Sequence, residues 1–133
     1  MPIKVIWGDV DPAQHVNNAQ YFAYMEEAGT TAAAKYNFVL EEYLEKSMGI
    51  VARKTRIEYK QPAVLGDKLE ITTYLSNSRP IRGTRHFIFH RQSDQALIAQ
   101  AHLDWVFIDI STGRPMRMPD SAIQGFAPHI ARE

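Results

Sequence analysis

The sequence predicts an α+β domain in which an antiparallel sheet covers one long helix. Three observations carry this reading. Residues 17 to 35 place apolar side chains at helical spacing, residues from 51 onward alternate apolar and polar along four segments, and the breaks between those segments are short. The 133 residues fit one domain, residues 1 to 133, with a core of its own, and no internal repeat, linker or low-complexity segment divides them.

Taken in order, Ile3, Val5 and Trp7 alternate with Lys4 and Ile6 in a short strand that stops at Gly8. From Asn17 to Lys35 the helical pattern puts Tyr21, Tyr24, Met25, Ala28 and Ala32 on one face, and Gln20, Glu27 and Thr31 on another. Gly29 lies inside the small-residue run EEAGTTAAA, where a glycine costs about 1 kcal/mol relative to alanine. Close packing of the helix on the sheet is the expected reason. YNFVLEEYLEKSMG reads as a short helical excursion or loop ending at Gly49. The first long strand alternates Val51, Arg53, Thr55, Ile57 and Tyr59 with Ala52, Lys54, Arg56, Glu58 and Lys60, and QPAVLGD breaks it with Pro62 and Gly66. Leu69, Ile71, Thr73 and Leu75 share one face of the next strand, and Phe87 and Phe89 lie on the one after NSRPIRG. Residues 97 to 110 form a last strand whose far end, with Val106, Ile108 and Ile110, is apolar on both faces. That end is expected to be buried on both sides, bulged, or at a subunit interface. STGRP is a turn, and residues 120 to 127 suit a terminal helical segment.

Composition narrows the function. Fifteen basic and fifteen acidic side chains cancel, and no Lys/Arg block occurs, so a nucleic-acid partner is not expected. The absence of cysteine removes disulfides, thiolate nucleophiles and Cys-ligated zinc, and suits a reducing compartment. His15, His86, His90, His102 and His129 show no metal-binding helical spacing, so a metal site is not expected. MPIKVIWGD lacks the apolar run of a signal peptide and no stretch suits a membrane span, which points to a cytoplasmic protein without a membrane partner.

The chemistry concentrates in WGDVDPAQHVNNAQY, residues 7 to 21. Asn17 is placed to cap the long helix, leaving the N–H of Asn18 and its neighbours without helical acceptors. Such a helix start suits developing negative charge. Asp11, just upstream of a turn begun by Pro12, can bring a carboxylate to the same place. A carboxylate beside an amide-lined oxyanion site is what attack on an acyl carbonyl requires.

WGDVDPAQHVNNAQYFAYMEEA resembles the signature of the hotdog-fold acyl-CoA thioesterases, in particular the 4-hydroxybenzoyl-CoA thioesterase family and its long-chain acyl-CoA relatives. IEYKQPAVLGDKLEI and FIDISTGRPMRMP resemble later segments of that family, in the same order along nearly the whole chain. The resemblance implies a hotdog fold, a curved sheet of about five strands wrapped around the helix, and hydrolysis of an acyl-CoA thioester to acid and CoA without a cofactor. It implies a homo-oligomer, a dimer or tetramer, with acyl sites between protomers. It places the catalytic carboxylate on Asp11, as nucleophile or general base, and the polarising backbone N–H on Asn18.

His15 matches the histidine of the QHVNN variant, seen also in plant acyl-ACP thioesterases. Those carry an asparagine two residues earlier where this chain has Ala13, so His15 is a candidate either for the chemistry or for orienting the loop. Asp9 is expected to hold the turn. Tyr21, Tyr24 and Met25 are candidates to line the acyl pocket, with Glu26 a reserve acid and Glu27 a solvated or interface residue. Arg79, Arg82, Arg85 and Lys60 are candidates for the CoA phosphates, since guanidinium forks suit phosphate oxygens; ordinary solvated edge charges are the alternative. A non-catalytic acyl-CoA-binding protein and a hotdog dehydratase or hydratase are the other readings. The first is expected to lack the carboxylate; the second carries a hydratase motif not seen in this sequence.

Overall fold

Residues 1–130 are described by the computed structural model. Six strands form one antiparallel sheet: β1 (Pro2–Lys4), β2 (Met48–Tyr59), β3 (Lys68–Ser76), β4 (Arg82–Arg91), β5 (Leu97–Asp109) and β6 (Arg114–Pro115). Their order is β1-β3-β4-β5-β2, with the two-residue β6 joined to β5 where β4 has ended. Helix α1 (Gln20–Ala34) packs on the inner face of this sheet. Two shorter helices, α2 (Leu40–Glu45) and α3 (Asp120–Phe126), close the other end.

The alternation of β3 and β4 sets the inner face: Leu69, Ile71, Leu75, Phe87 and Phe89 are all buried. Burying each such side chain stabilises the fold by about 1.5–3 kcal/mol, so truncating Phe89, which has no exposed surface, costs more than any rim change. On α1 the buried residues are Tyr21, Tyr24, Met25, Ala28 and Ala33, following the face the sequence predicts. The mid-helix Gly29 marks a close approach: a Cβ there would lie 3.4 Å from Arg85 Cδ and 3.7 Å from the Phe87 ring.

Two bulges reset the alternation. In β2, Arg53 is the extra residue between the pairs Ala52/Trp105 and Lys54/Asp104. Ile50 and Ala52 therefore share a face with Thr55, Ile57 and Tyr59, and the expected inward phase of Val51 and Arg53 is corrected by that insertion. In β5, Ile98 is the extra residue opposite Phe89 and His90, and it is buried together with Ala99. The first strand is shorter than expected. The carboxylate of Asp9 captures the Ile6 N–H at 3.1 Å, residues Trp7–Asp9 turn as a 3₁₀ segment, and Trp7 ends 80 % exposed.

The doubly apolar end of β5 is covered from within the chain at Val106 and in part at Ile108, while Ile110 stays 46 % exposed. Val106 sits under the 79–81 loop and Pro115, while Ile108 pairs with Gly49 of β2 on one side and Pro115 of β6 on the other. Its backbone is thus taken, and the open edge of the sheet is instead the outer side of β2.

Candidate active site

The turn between β1 and α1 is held by one buried carboxylate and displays another. Asp9 is buried; its Oδ2 accepts the Ile6 N–H and the Tyr24 O–H at 2.8 Å, and its carbonyl accepts the Asn17 N–H at 2.9 Å. That carboxylate and burial together push the Tyr24 phenol well above the ordinary tyrosine range. The next residue, Val10, bridges Val16, and the Asp11 N–H donates to the His15 carbonyl at 2.9 Å. The chain reverses between them. Asp11 Oδ1 accepts the Ala13 N–H at 2.9 Å, its carbonyl accepts the Gln14 N–H at 2.8 Å, and Gln14 takes a left-handed φ of 65°. This small hairpin is fastened to the β2–β3 connection through the His15/Val64 bridge and the Val16 N–H on the Ala63 carbonyl.

Asp11 and His15 consequently line one open depression, with Trp7, Val64 and Leu65 exposed on its rim. Asn17 acts one turn ahead of the regular helix: its Oδ1 accepts the Ala19 N–H at 3.0 Å and its carbonyl the Gln20 N–H at 2.8 Å. The Asn18 N–H has no acceptor among the described residues, and the dipole of a 15-residue helix stands behind it. The Tyr59 phenol donates to the Asn18 carbonyl at 3.1 Å and stacks edge-on against Tyr21, so the end of β2 braces the helix start. Burial raises the Tyr59 phenol, which keeps it a donor. Sequence reasoning missed Tyr59 as a site residue, although its inward phase at the end of β2 was the signal.

A separate cavity of about 360 Å³ opens between α1 and the inner face of β2, β3, β4 and β5, beginning one helical turn beyond Asn18 at Phe22 and ending at Phe126. Of Tyr21, Tyr24 and Met25, expected to line an acyl pocket, Met25 lines this cavity and the two tyrosines lie in the core beside it. Tyr21 packs among Tyr24, Tyr59 and Phe89, and burial, aided by Tyr59 and Asp67, pushes its phenol up to about 12. Glu26 lines the cavity from its exposed wall; Glu27 is exposed.

The four cations part company. Arg85 is corrected from surface anion anchor to buried side chain: it points inward from β4, is 7 % exposed, and donates from Nη1 to Thr73 Oγ1 at 3.0 Å. Arg79 and Arg82 do meet, on the outer face, with Arg53 and Arg117 around one depression. Lys60 is not near them. It pairs with Glu58 at 2.9 Å at the opposite end of the sheet, seven residues along β4 from Arg82, or roughly 23 Å at ~3.3 Å per residue. Among the described residues no group of three His, Asp or Glu side chains is placed to hold a metal ion, and no helix is long and apolar enough to cross a membrane.

Comparison with known proteins places these features in company. The family model described as the thioesterase-like superfamily matches residues 5–126. Acyl-CoA thioester hydrolase YbgC of Escherichia coli O157:H7 is 29 % identical over 127 residues, covering 94 % of this chain and 92 % of the relative. The long-chain acyl-CoA thioesterase FadM of E. coli K12 is 29 % identical over 119 residues, covering 87 % of each. Among solved structures, the BH1999 gentisyl-coenzyme A thioesterase superposes with a TM-score of 0.86 at 23 % identity, covering 96 % of this chain and 98 % of that one, a likeness of fold.

Proposed function

This chain belongs to the thioesterase-like superfamily and is a thioester hydrolase of hotdog fold, and from that premise we propose that it hydrolyses acyl-CoA at the Asp11 turn. The single observation that supports the site most is the pairing of two aspartates, one fully engaged and one on display. Asp9 is consumed by Ile6 and Tyr24, whereas Asp11 is held at a hairpin tip by its own backbone and keeps Oδ2 for chemistry.

In this reading the thioester carbonyl oxygen takes the Asn18 N–H, whose partial positive charge grows more favourable as the oxygen becomes an oxyanion. Asp11 either attacks the carbonyl carbon or takes a proton from the attacking water. The C–S bond then breaks and the CoA thiolate leaves and is protonated; where Asp11 has attacked, water next cleaves the resulting acyl–aspartyl anhydride and frees the carboxylate, so that either way one water is consumed per acid and CoA released. His15, on the far strand of the hairpin, orients the turn or the water. Met25 contributes to the acyl wall. Arg79 and Arg82, with Arg53 and Arg117 beside them, form the anion site suited to CoA phosphates. Its place at the far end of the sheet from Asp11, together with the open outer edge of the 12-residue β2, supports a homo-oligomer, a dimer or tetramer, as the working state. The cytoplasm, where a cysteine-free chain meets no oxidative demand, is part of the same reading.

The test is thiol release from a panel of acyl-CoAs, wild type beside Asp11→Asn; the protein has no cysteine, so the thiol reagent reports product alone. Turnover that disappears in the variant supports the assignment. Binding of every acyl-CoA without thiol release would replace it with a carrier role. For the anion site, Arg82→Ala should raise KM for acyl-CoA and leave KM for the corresponding acyl-pantetheine unchanged; equal effects on both remove the phosphate assignment.

A further inference from the structure

Among the described residues Arg85 is the one strongly charged side chain buried in the inner face of the sheet, and they supply it with no ion-pair partner. Its neighbours are neutral: the Thr73 hydroxyl at 3.0 Å and the Tyr36 phenol. Glu26, the one carboxylate lining the same cavity, makes no ion pair with it. No fully buried polar side-chain atom in the described residues lacks a partner, so the guanidinium nitrogens not engaged by Thr73 or Tyr36 keep accessible surface, and Arg85 is one of the residues that line the cavity. Burial lowers the Arg85 pKa from its ordinary value, yet arginine stays protonated at neutral pH, so a positive charge sits in the wall of a largely apolar space whose other polar lining is Glu26, Thr30 and Thr55. This side chain passes beneath α1 at Gly29, where a Cβ would lie 3.4 Å from Arg85 Cδ.

We infer that the cavity selects acyl groups with a carboxylate at the end remote from the thioester, the carboxylate pairing with Arg85. The inference rests on the thioesterase reading above, which places the thioester carbonyl at Asn18. From Asn18 to Gly29, where Arg85 passes, α1 advances eleven residues, or roughly 16 Å at ~1.5 Å each. Allowing ~3 Å for the terminal hydrogen bond, an extended chain advancing ~1.2 Å per bond needs roughly eleven bonds. That corresponds to the mono-CoA thioester of a dicarboxylic acid of about ten to twelve carbons, and the cavity falls within the ordinary size of a small-ligand pocket. Hydrolysis would release the free dicarboxylate, with water consumed and CoA set free as for any acyl chain.

The experiment compares kcat/KM for dodecanoyl-CoA and for the mono-CoA thioester of dodecanedioic acid. Wild type should favour the second by about 10- to 100-fold, the range a charge-assisted hydrogen bond supplies. Arg85→Met should invert the preference, and Arg85→Lys, which keeps the charge, should retain its sign. A ratio taken on one preparation is unaffected by the folded fraction. In parallel, free dodecanedioic acid should raise the unfolding temperature of wild type more than dodecanoic acid does, a difference lost in Arg85→Met. A wild-type preference for the plain chain in both measurements, or a preference that Arg85→Met leaves untouched, overturns the proposal. Absence of thiol release from every substrate with the thermal difference intact would remove the hydrolase reading and leave the anion pocket standing.

Discussion

Helix α1 covers two unlike halves of the same sheet. Its first turns are packed solid, Tyr21, Tyr24, Met25 and Ala28 lying among Leu69, Ile71, Phe87 and Phe89 of β3 and β4 and Ala99 and Ala101 of β5. Its later turns stand off, and the cavity, lined by Leu75, Arg85 and Phe87 as well as by β2 and β5, fills the gap. Each half has one buried charge. Asp9 receives a backbone N–H and a phenol hydrogen from its own chain, whereas Arg85 receives two neutral hydroxyls and lines the void. A charge withdrawn from water is costly unless it is paired. Where the chain itself supplies the partners, the charge is scaffold; where it leaves donors open to a cavity, the missing partner is a ligand.

The comparison is broken most directly at the two aspartates. Asp11→Asn should lower kcat for thioester hydrolysis by about 10²- to 10⁴-fold, the scale of a lost general base, with the unfolding midpoint close to wild type. Asp9→Asn should do the reverse in kind: a loss of roughly 1–3 kcal/mol in stability by denaturant titration, from a buried site that no longer satisfies its donors. If Asp9→Asn left stability intact and removed turnover, the roles assigned to the pair would have to be exchanged. Tyr24→Phe probes the same scaffold from its other side and should cost about 1–3 kcal/mol, because it strips one of the carboxylate's two donors.

The two tyrosines of the solid half also sharpen the contrast through pH. Tyr21 is raised from 10 to about 12 and Tyr24 is raised as well, so above pH 10 the folded protein holds protons that the unfolded chain has lost. Stability contributed by these groups is therefore complete below pH 10 and declines as pH climbs toward 12. Equilibrium unfolding between pH 9 and 12 should show that decline, and Tyr24→Phe should flatten it. A flat profile in wild type would mean that the phenols are not enclosed.

Much of this contrast could be read from sequence, and what could not has physical causes. Period-two alternation located the inner faces of β3, β4 and most of β5 because one side chain in two meets the core. The same rule failed in β2, where a single inserted residue, Arg53, reverses the phase of everything before it and leaves no mark in composition. The Asp11 hairpin was visible as a cluster of turn residues, yet its lock on Ala63 and Val64 is a contact across the chain that spacing does not encode. Arg85 was misplaced for a related reason. Alternation says which face a side chain takes, not whether it meets neighbours or empty space; Arg85 falls in step with Phe87 and Phe89, and that inward phase was outweighed by the expectation that arginines face water.

Gly29 gives the smallest effect and the finest test, since it lies where the solid half meets the open one. An added Cβ would sit 3.4 Å from Arg85 Cδ and 3.7 Å from the Phe87 ring, ordinary contact distances that demand no movement. Replacing a mid-helix glycine by alanine should then return most of the propensity difference, raising stability by up to about 1 kcal/mol. The same methyl would narrow the cavity beside the guanidinium, so KM for a long acyl-CoA should rise a few-fold while kcat for a short one stays near wild type. Stabilisation together with a chain-length-dependent KM would show that glycine is retained at this position for the width of the pocket. Destabilisation would show instead that the helix is pressed as hard on the sheet at Gly29 as at Ala28, and the boundary between the filled and open halves would have to be moved toward the end of α1.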